Sequence, residues 1–100
     1  MSGEVLLTLS VSPRLEGTVV DWLLSREACY GFTSFPVAGH SCSPVGLSLA
    51  EQVSGRKKQM RFQMHLPAAE VPALLEQLRR DFAGSGMHYW LSPVLESASL

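Results

Sequence analysis

Cysteine is scarce in this sequence, which contains only Cys29 and Cys42. Two cysteines are too few for the disulfide framework of a small secreted domain, and no Cys-x-x-Cys pair is present to hold a structural zinc ion. If the residues between them form one strand, thirteen residues of extended chain span roughly 40 Å, whereas a disulfide needs about 4 to 7 Å between α-carbons. We therefore expect two reduced thiols.

An excess of charge and a long hydrophobic run are also absent. Eight Lys and Arg residues face nine Asp and Glu residues, so the net charge is -1. Without a basic excess, binding to a nucleic-acid backbone is not expected. The apolar stretches are only as long as strands, and the N-terminus lacks the basic and apolar regions of a secretory signal. We therefore expect a soluble, cytoplasmic protein with no nucleic-acid partner.

The chain does have enough apolar residues to build a core. Hydrophobic residues make up 46% of its 100 residues, and charged residues only 17%. This composition argues against disorder, and the length suits one small domain. We therefore predict a single domain over 1–100.

Hydrophobic periodicity predicts six elements. Val5, Leu7 and Leu9 alternate with more polar residues, as in a half-buried strand, and Met60, Phe62 and Met64 do the same. The whole pattern predicts, in order, a strand over 4–12, a helix over 13–26, strands over 28–39 and 59–66, a helix from about 71 to about 84, and a strand over 87–91. A loop over about 40–56 and an irregular tail over about 92–100 complete the chain.

This order predicts an α+β, ferredoxin-like βαββαβ fold, with a four-stranded antiparallel sheet and two helices on one face. The other face would carry a mixture of polar and apolar side chains, namely Leu6, Thr8, Arg61, Gln63, His65, His88 and Trp90. Such a face is too apolar to be left in contact with water, so we expect an oligomer that covers it. Trp90 is then expected to lie in the subunit interface.

Three separated motifs resemble a known family. They are Gly31–His40 (GFTSFPVAGH), Ala50–Arg56 (AEQVSGR) and Tyr89–Glu96 (YWLSPVLE). In this order and spacing they resemble the uncharacterised PII-like family encoded beside heavy-metal efflux pumps, over nearly the whole chain. The resemblance implies a homotrimer whose sheet faces meet, small effectors bound in clefts between subunits, and a long loop, the T-loop, that contacts a protein partner. A membrane efflux transporter is the partner that the resemblance suggests.

The resemblance also implies where the effector and the partner bind. Gly55, Arg56, Lys57 and Lys58 are similar to the Gly-Arg-Gln-Lys stretch that touches nucleotide phosphates in PII proteins, although basic residues at a loop end also serve simply to keep the loop solvated. The turn Ala83–Gly86 keeps the glycines of the PII B-loop but lacks its cations, which weakens the case for ATP. The partner-contacting loop residues are Ser41, Pro44, Leu47 and Glu51.

The identity of the effector stays open, with an adenine nucleotide and a transition metal ion as the two candidates. His40 and Cys42 lie two residues apart in the loop, and imidazole and thiolate suit copper or zinc. A metal-binding or metal-sensing trimer is therefore the alternative function, and a structural assembly factor without a ligand is a third. The sequence contains no nucleophile elbow, P-loop or metal-hydrolase motif, so we expect no catalytic residues and no enzyme activity.

Overall fold

The computed structural model describes residues 3–26, 31–40 and 56–100. These residues form strands β1 (Glu4–Val11), β2 (Thr33–Gly39), β3 (Lys57–Pro67) and β4 (His88–Val94), and helices α1 (Glu16–Leu24) and α2 (Val71–Asp81). A short 3-10 turn leads into each helix, at Pro13–Leu15 and at Ala68–Glu70. In the described part of the chain, neither helix is both long enough and apolar enough to cross a lipid bilayer.

The four strands form one antiparallel sheet in the order β2-β3-β1-β4. The predicted ferredoxin-like fold is thereby confirmed. β1 lies inside the sheet, paired with β3 on one side and β4 on the other, while β2 and β4 form the edges.

Alternation along β1 and β3 places the core on one side of the sheet, as predicted. Leu7, Leu9 and Phe62 are at most 1% exposed, because α1 and α2 pack over them. The core is completed by other buried residues of the two strands and of the two helices, including Val5, Val11, Val19, Leu23, Met60, Met64, Leu66, Val71, Leu75 and Leu78. The interpretation of Met60 and Met64 as packing residues is therefore confirmed.

Several predicted boundaries were wrong by a few residues. β3 begins at Lys57, two residues before the predicted start, and α1 ends at Leu24. Pro93 was expected to end the pairing of the last strand, yet it lies opposite Val5 within β4, which continues to Val94. An edge strand tolerates proline because its outer N–H groups need no partner within the sheet. The irregular tail is correspondingly shorter than predicted.

The register places four chain segments at one end of the sheet, which we call the loop end. Gly39, at the end of β2, pairs with Lys57, at the start of β3. Ser10, near the end of β1, pairs with His88, at the start of β4. Both ends of the loop over 40–56 and the turn between α2 and β4 therefore lie at the loop end.

Candidate functional site

The side of the sheet opposite the helices, which we call the open face, carries the residues that the sequence predicted for it. Cross-strand pairing joins Gln63, Thr8 and Trp90 in one row and Arg61, Ser10 and His88 in the next. Residues paired directly across an antiparallel sheet point to the same side, so these six side chains share the open face. β2 extends the two rows with Thr33 and Phe35.

Large side chains already cover part of the open face within one chain. Thr8 is 1% exposed and Ser10 is 4% exposed, although both described helices, α1 and α2, pack on the other side of the sheet. Gln63 Nε2 donates a hydrogen bond of 3.4 Å to Thr8 Oγ1. Trp90 is half-buried, and the guanidinium carbon of Arg61 lies 5.0 Å from the centre of its ring. The face is therefore a packed surface of mixed polarity.

His65 lies at the opposite end of the open face, away from the loop end. It lines a shallow cleft of about 330 Å³ with Leu6, Thr33 and Gln63, where β2 begins. The structure therefore separates His65 from His88, which begins β4 at the loop end.

The predicted effector-binding residues flank the long loop at the loop end. Arg56, Lys57 and Lys58 are all exposed, and Gly55 lies outside the described residues. Because Gly39 and Lys57 are paired, the loop leaves and re-enters the sheet at adjacent points. Lys57 and Lys58 follow one another in a strand, so their side chains point to opposite faces of the sheet.

The predicted partner-contacting residues, Ser41, Pro44, Leu47 and Glu51, lie outside the described residues. Of the predicted metal ligands, His40 is exposed at the end of β2, while Cys42 also lies outside them. Among residues 3–26, 31–40 and 56–100, no three His, Cys, Asp or Glu side chains are grouped closely enough to hold a metal ion. The metal hypothesis stays a prediction.

A cleft of about 360 Å³ lies between the end of α2 and the start of β4, also at the loop end. Gly84 and Gly86 line it with φ angles of 77° and 82°, a left-handed conformation that favours glycine. Arg79 reaches it from α2 and donates a 2.9 Å hydrogen bond to the Tyr89 hydroxyl. The turn itself lacks cations, as the sequence indicated, but the preceding helix supplies one, which residue spacing did not predict.

A polar cluster ties the two helices together on the outer surface. Trp22 Nε1 donates a 2.8 Å hydrogen bond to Asp81 Oδ2, and Arg80 pairs with the other oxygen of the same carboxylate at 3.1 Å. The hydrogen bond from Trp22 and then that from Arg80 lower the pKa of Asp81. Arg26 stacks over the Trp22 ring at 4.1 Å and donates a 2.6 Å hydrogen bond to Gln77 Oε1. These contacts fix the packing of α1 against α2.

A family model for proteins of unknown function, DUF3240, matches residues 1–100. The chain belongs to the DUF3240 family. No curated protein sequence matches the chain. A DUF3240 family protein from Shewanella baltica OS155 has a crystal structure with 27% sequence identity to this DUF3240 chain and a TM-score of 0.78, and the match covers 100% of this chain and 99% of that one.

Two more distant structures share the fold of this DUF3240 protein. A putative PII-like signalling protein from Thermus thermophilus is 17% identical, with a TM-score of 0.64 over 91% of this chain and 86% of that one. CPII, a nitrogen regulatory PII-like protein from Thiomonas intermedia K12, is 16% identical, with a TM-score of 0.69 over the whole of both chains. Its structure holds ADP, AMP and bicarbonate. The predicted PII-like fold is therefore confirmed.

Proposed function

We propose that this DUF3240 protein is a PII-like regulatory protein that assembles as a homotrimer, binds a small effector between subunits and contacts a protein partner through its long loop. The observation that carries the proposal is the arrangement at the loop end. The base of the loop lies at one edge of the sheet and the glycine turn of the 360 Å³ cleft at the other. In a closed ring of three chains, the β4 edge of one chain faces the β2 edge of the next, and the two half-sites meet.

The open face supports the trimer. Phe35 and Trp90 remain half-buried on it, and neither of the described helices, α1 or α2, covers them. A cyclic assembly in which three copies of this face meet removes more of their apolar surface from water, which is a driving force for association. The same contact holds the loop ends of neighbouring chains in fixed relative positions, as an effector site between subunits requires.

The proposed effector site combines Gly55, Arg56, Lys57 and Lys58 of one chain with the glycine-turn cleft of its neighbour. Cations at the loop base suit a phosphate or carboxylate group, while Leu78, Phe82 and Met87 give the cleft an apolar floor. An effector with one anionic and one apolar part fits both halves. Adenine nucleotides have this chemistry, and ADP and AMP bound to CPII make them the first probes to use.

Effector binding would then alter which conformations the loop adopts, and this change would alter the affinity of the loop for the partner. Ser41, Pro44, Leu47 and Glu51 are the proposed contact residues. A metal-efflux transporter in the membrane is the proposed partner, and this part of the proposal rests on the resemblance of the sequence alone.

The test is calorimetric titration of ADP and AMP into the wild-type protein and into Arg56→Ala, with native mass spectrometry of both. We expect a wild-type mass of about 33 kDa, three times the 10.9 kDa chain, and saturable nucleotide binding. Arg56→Ala should keep the trimer and lose the binding, and the matched control Arg14→Ala, at an exposed arginine outside the proposed site, should keep both. Unchanged binding by Arg56→Ala would place the effector elsewhere, and a monomeric wild-type protein would refute the trimer.

A further inference from the structure

We propose that Arg61, Ser10 and His88 form a binding site on the open face for a small oxyanion of the phosphate or sulfate type. The three residues come from three neighbouring strands. Nothing in the proposed effector site at the loop base uses them. The site itself is formed by one chain. It rests on the proposed function in one respect only, because formation of the proposed trimer would enclose it.

The register brings the three side chains together. Ser10 pairs directly with Arg61 of β3 on one side and with His88 of β4 on the other. Directly opposite residues have β-carbons about 4.5 to 5.5 Å apart on the same face. Ser10 therefore forms the floor between a guanidinium group and an imidazole ring, both long enough to reach over it.

Two polar atoms at this place lack the hydrogen bonds that buried groups normally make. Ser10 is 4% exposed, and neither its Oγ nor the Nε of Arg61 has a hydrogen-bond partner among the residues that the structure describes, although both atoms are sealed from solvent. Native proteins seldom leave buried donors unpaired, because such groups have lost their bonds to water without replacement. An oxyanion accepts hydrogen bonds from hydroxyl and guanidinium donors alike, and rotation of the Arg61 side chain would open both donors to it.

Within the described part of the chain, the charge of Arg61 also lacks a neighbouring counterion. Among the described residues of the open face the one carboxylate is that of Glu4, which lies six residues from Ser10 along β1, a distance of about 20 Å. Stacking on Trp90 at 5.0 Å orients the guanidinium without neutralising it. Association of three open faces would bring three such cations closer together, and bound oxyanions would offset their repulsion.

Trp90 contacts both donor side chains, those of Arg61 and His88. The His88 ring lies 5.8 Å from the Trp90 ring, so the imidazole and the Arg61 guanidinium pack against the same indole. Guanidinium offers a planar pair of donors that matches an oxyanion, and imidazole adds a further N–H. The structure thus supplies two donor side chains held by one aromatic ring above a third, unpaired hydroxyl.

The probe for the test is inorganic phosphate. Wild-type protein purified in a phosphate-free buffer is titrated by calorimetry, with sodium chloride added to hold the ionic strength constant, and its melting temperature is followed in parallel. We expect saturable binding and a rise in melting temperature. Arg61→Gln should weaken the affinity by about tenfold or more, since it removes a charge-assisted pair of hydrogen bonds. Arg14→Gln makes the same change at an exposed arginine outside the sheet and should bind like the wild type.

Ser10→Ala keeps the test decisive if Arg61→Gln fails to fold. This variant removes an unpaired buried hydroxyl, so its melting temperature without phosphate should equal or exceed that of the wild type, while its phosphate affinity should fall. Unchanged affinity in folded Arg61→Gln, or no saturable binding by the wild type, overturns the proposal. A third outcome is that the wild type does not bind phosphate but Glu4→Gln does. This result would mean that Glu4 of a neighbouring chain occupies the site in the wild type, and it also overturns the proposal.

Native mass spectrometry of the same samples separates this proposal from the proposed function. A trimer that does not bind phosphate refutes the oxyanion site and leaves the assembly standing. A monomer that binds phosphate through Arg61 refutes the assembly and supports the site.

Discussion

The two tryptophans of this protein allow a matched test of the trimer. Both are half-buried and both carry a stacked arginine, at 4.1 Å for Trp22 and 5.0 Å for Trp90. Trp22 lies on the outer surface of the helices and Trp90 on the open face. Truncation to alanine should therefore separate the stability of the single chain from the stability of the assembly.

Trp90→Ala should dissociate the trimer. A buried tryptophan at the centre of an interface contributes about 2 kcal/mol or more, and a trimer contains three copies. The loss of roughly 6 kcal/mol lowers the association constant of three chains by about four orders of magnitude. Removal of the indole also takes the packing partner from Arg61 and uncovers Thr8, which lies directly opposite Trp90.

Trp22→Ala should instead destabilise the chain and leave the trimer assembled. It removes a hydrogen bond to Asp81, an edge-to-face contact with Phe82 at 5.6 Å and the stacking of Arg26. Together these contribute about 2 to 3 kcal/mol to the free energy of unfolding, which corresponds to a fall in melting temperature of roughly 10 to 20 °C.

Sedimentation velocity over a dilution series measures the assembly, and urea denaturation at matched concentration measures the stability. The special role of the open face in association is refuted if Trp90→Ala and the wild type dissociate at the same concentration. It is equally refuted if Trp22→Ala dissociates as readily as Trp90→Ala, because the open face would then have no special part in association.

Two further predictions concern the single chain. Phe62→Ala should lower the free energy of unfolding by about 3 to 5 kcal/mol in urea denaturation, because Phe62 is 1% exposed beneath both helices, and a change below 1 kcal/mol would contradict its place in the core. For Asp81, a folded-state pKa below the usual value means that the carboxylate stabilises the protein above the usual pKa, and that this contribution disappears as the pH falls through the lowered pKa. Asp81→Asn, which can still accept the hydrogen bond from Trp22, should therefore reduce the loss of stability as the pH falls below the usual aspartate pKa in acid titrations of the melting temperature. Asp21→Asn is the matched control, and an equal effect of both variants would refute the role of Asp81.

Most of the fold could be predicted because two strands alternate strongly. In β1 and β3 every second residue is a large apolar side chain, so strand type and core face follow from the sequence. The ends of the strands could not be predicted as well. Lys57 and Lys58 have no apolar character to mark a strand, and Pro93 resembles a strand terminator. Pairing with a neighbouring strand determines both where β3 begins and where β4 ends, and the hydrophobic pattern of the sequence does not specify this pairing.

The candidate site could be predicted only in outline. His40 and Arg56 flank a long loop in the sequence, and the pairing of Gly39 with Lys57 places them at one point. Because the predicted β3 began only at residue 59, Lys57 and Lys58 were assigned to the loop, and the sequence did not show that their side chains point to opposite faces of the sheet. Arg79 was missed in the glycine-turn cleft because its contact with Tyr89 depends on how the chain reverses between α2 and β4. Such a contact depends on backbone angles that residue spacing does not specify.

Two prolines disfavour continuous strand pairing between the sheet edges of neighbouring chains, so we expect contact between open faces to drive association. Pro36 lies in β2 and Pro93 in β4, so each edge strand carries one residue without an N–H group. A second copy that added itself to either edge would find an interrupted row of donors, which disfavours open-ended growth of the sheet. The open face has no such interruption, and its large aromatic side chains still expose apolar surface. Contact between open faces in an assembly with closed symmetry buries this apolar surface without creating a new sheet edge. Such contact favours a closed ring over a fibre.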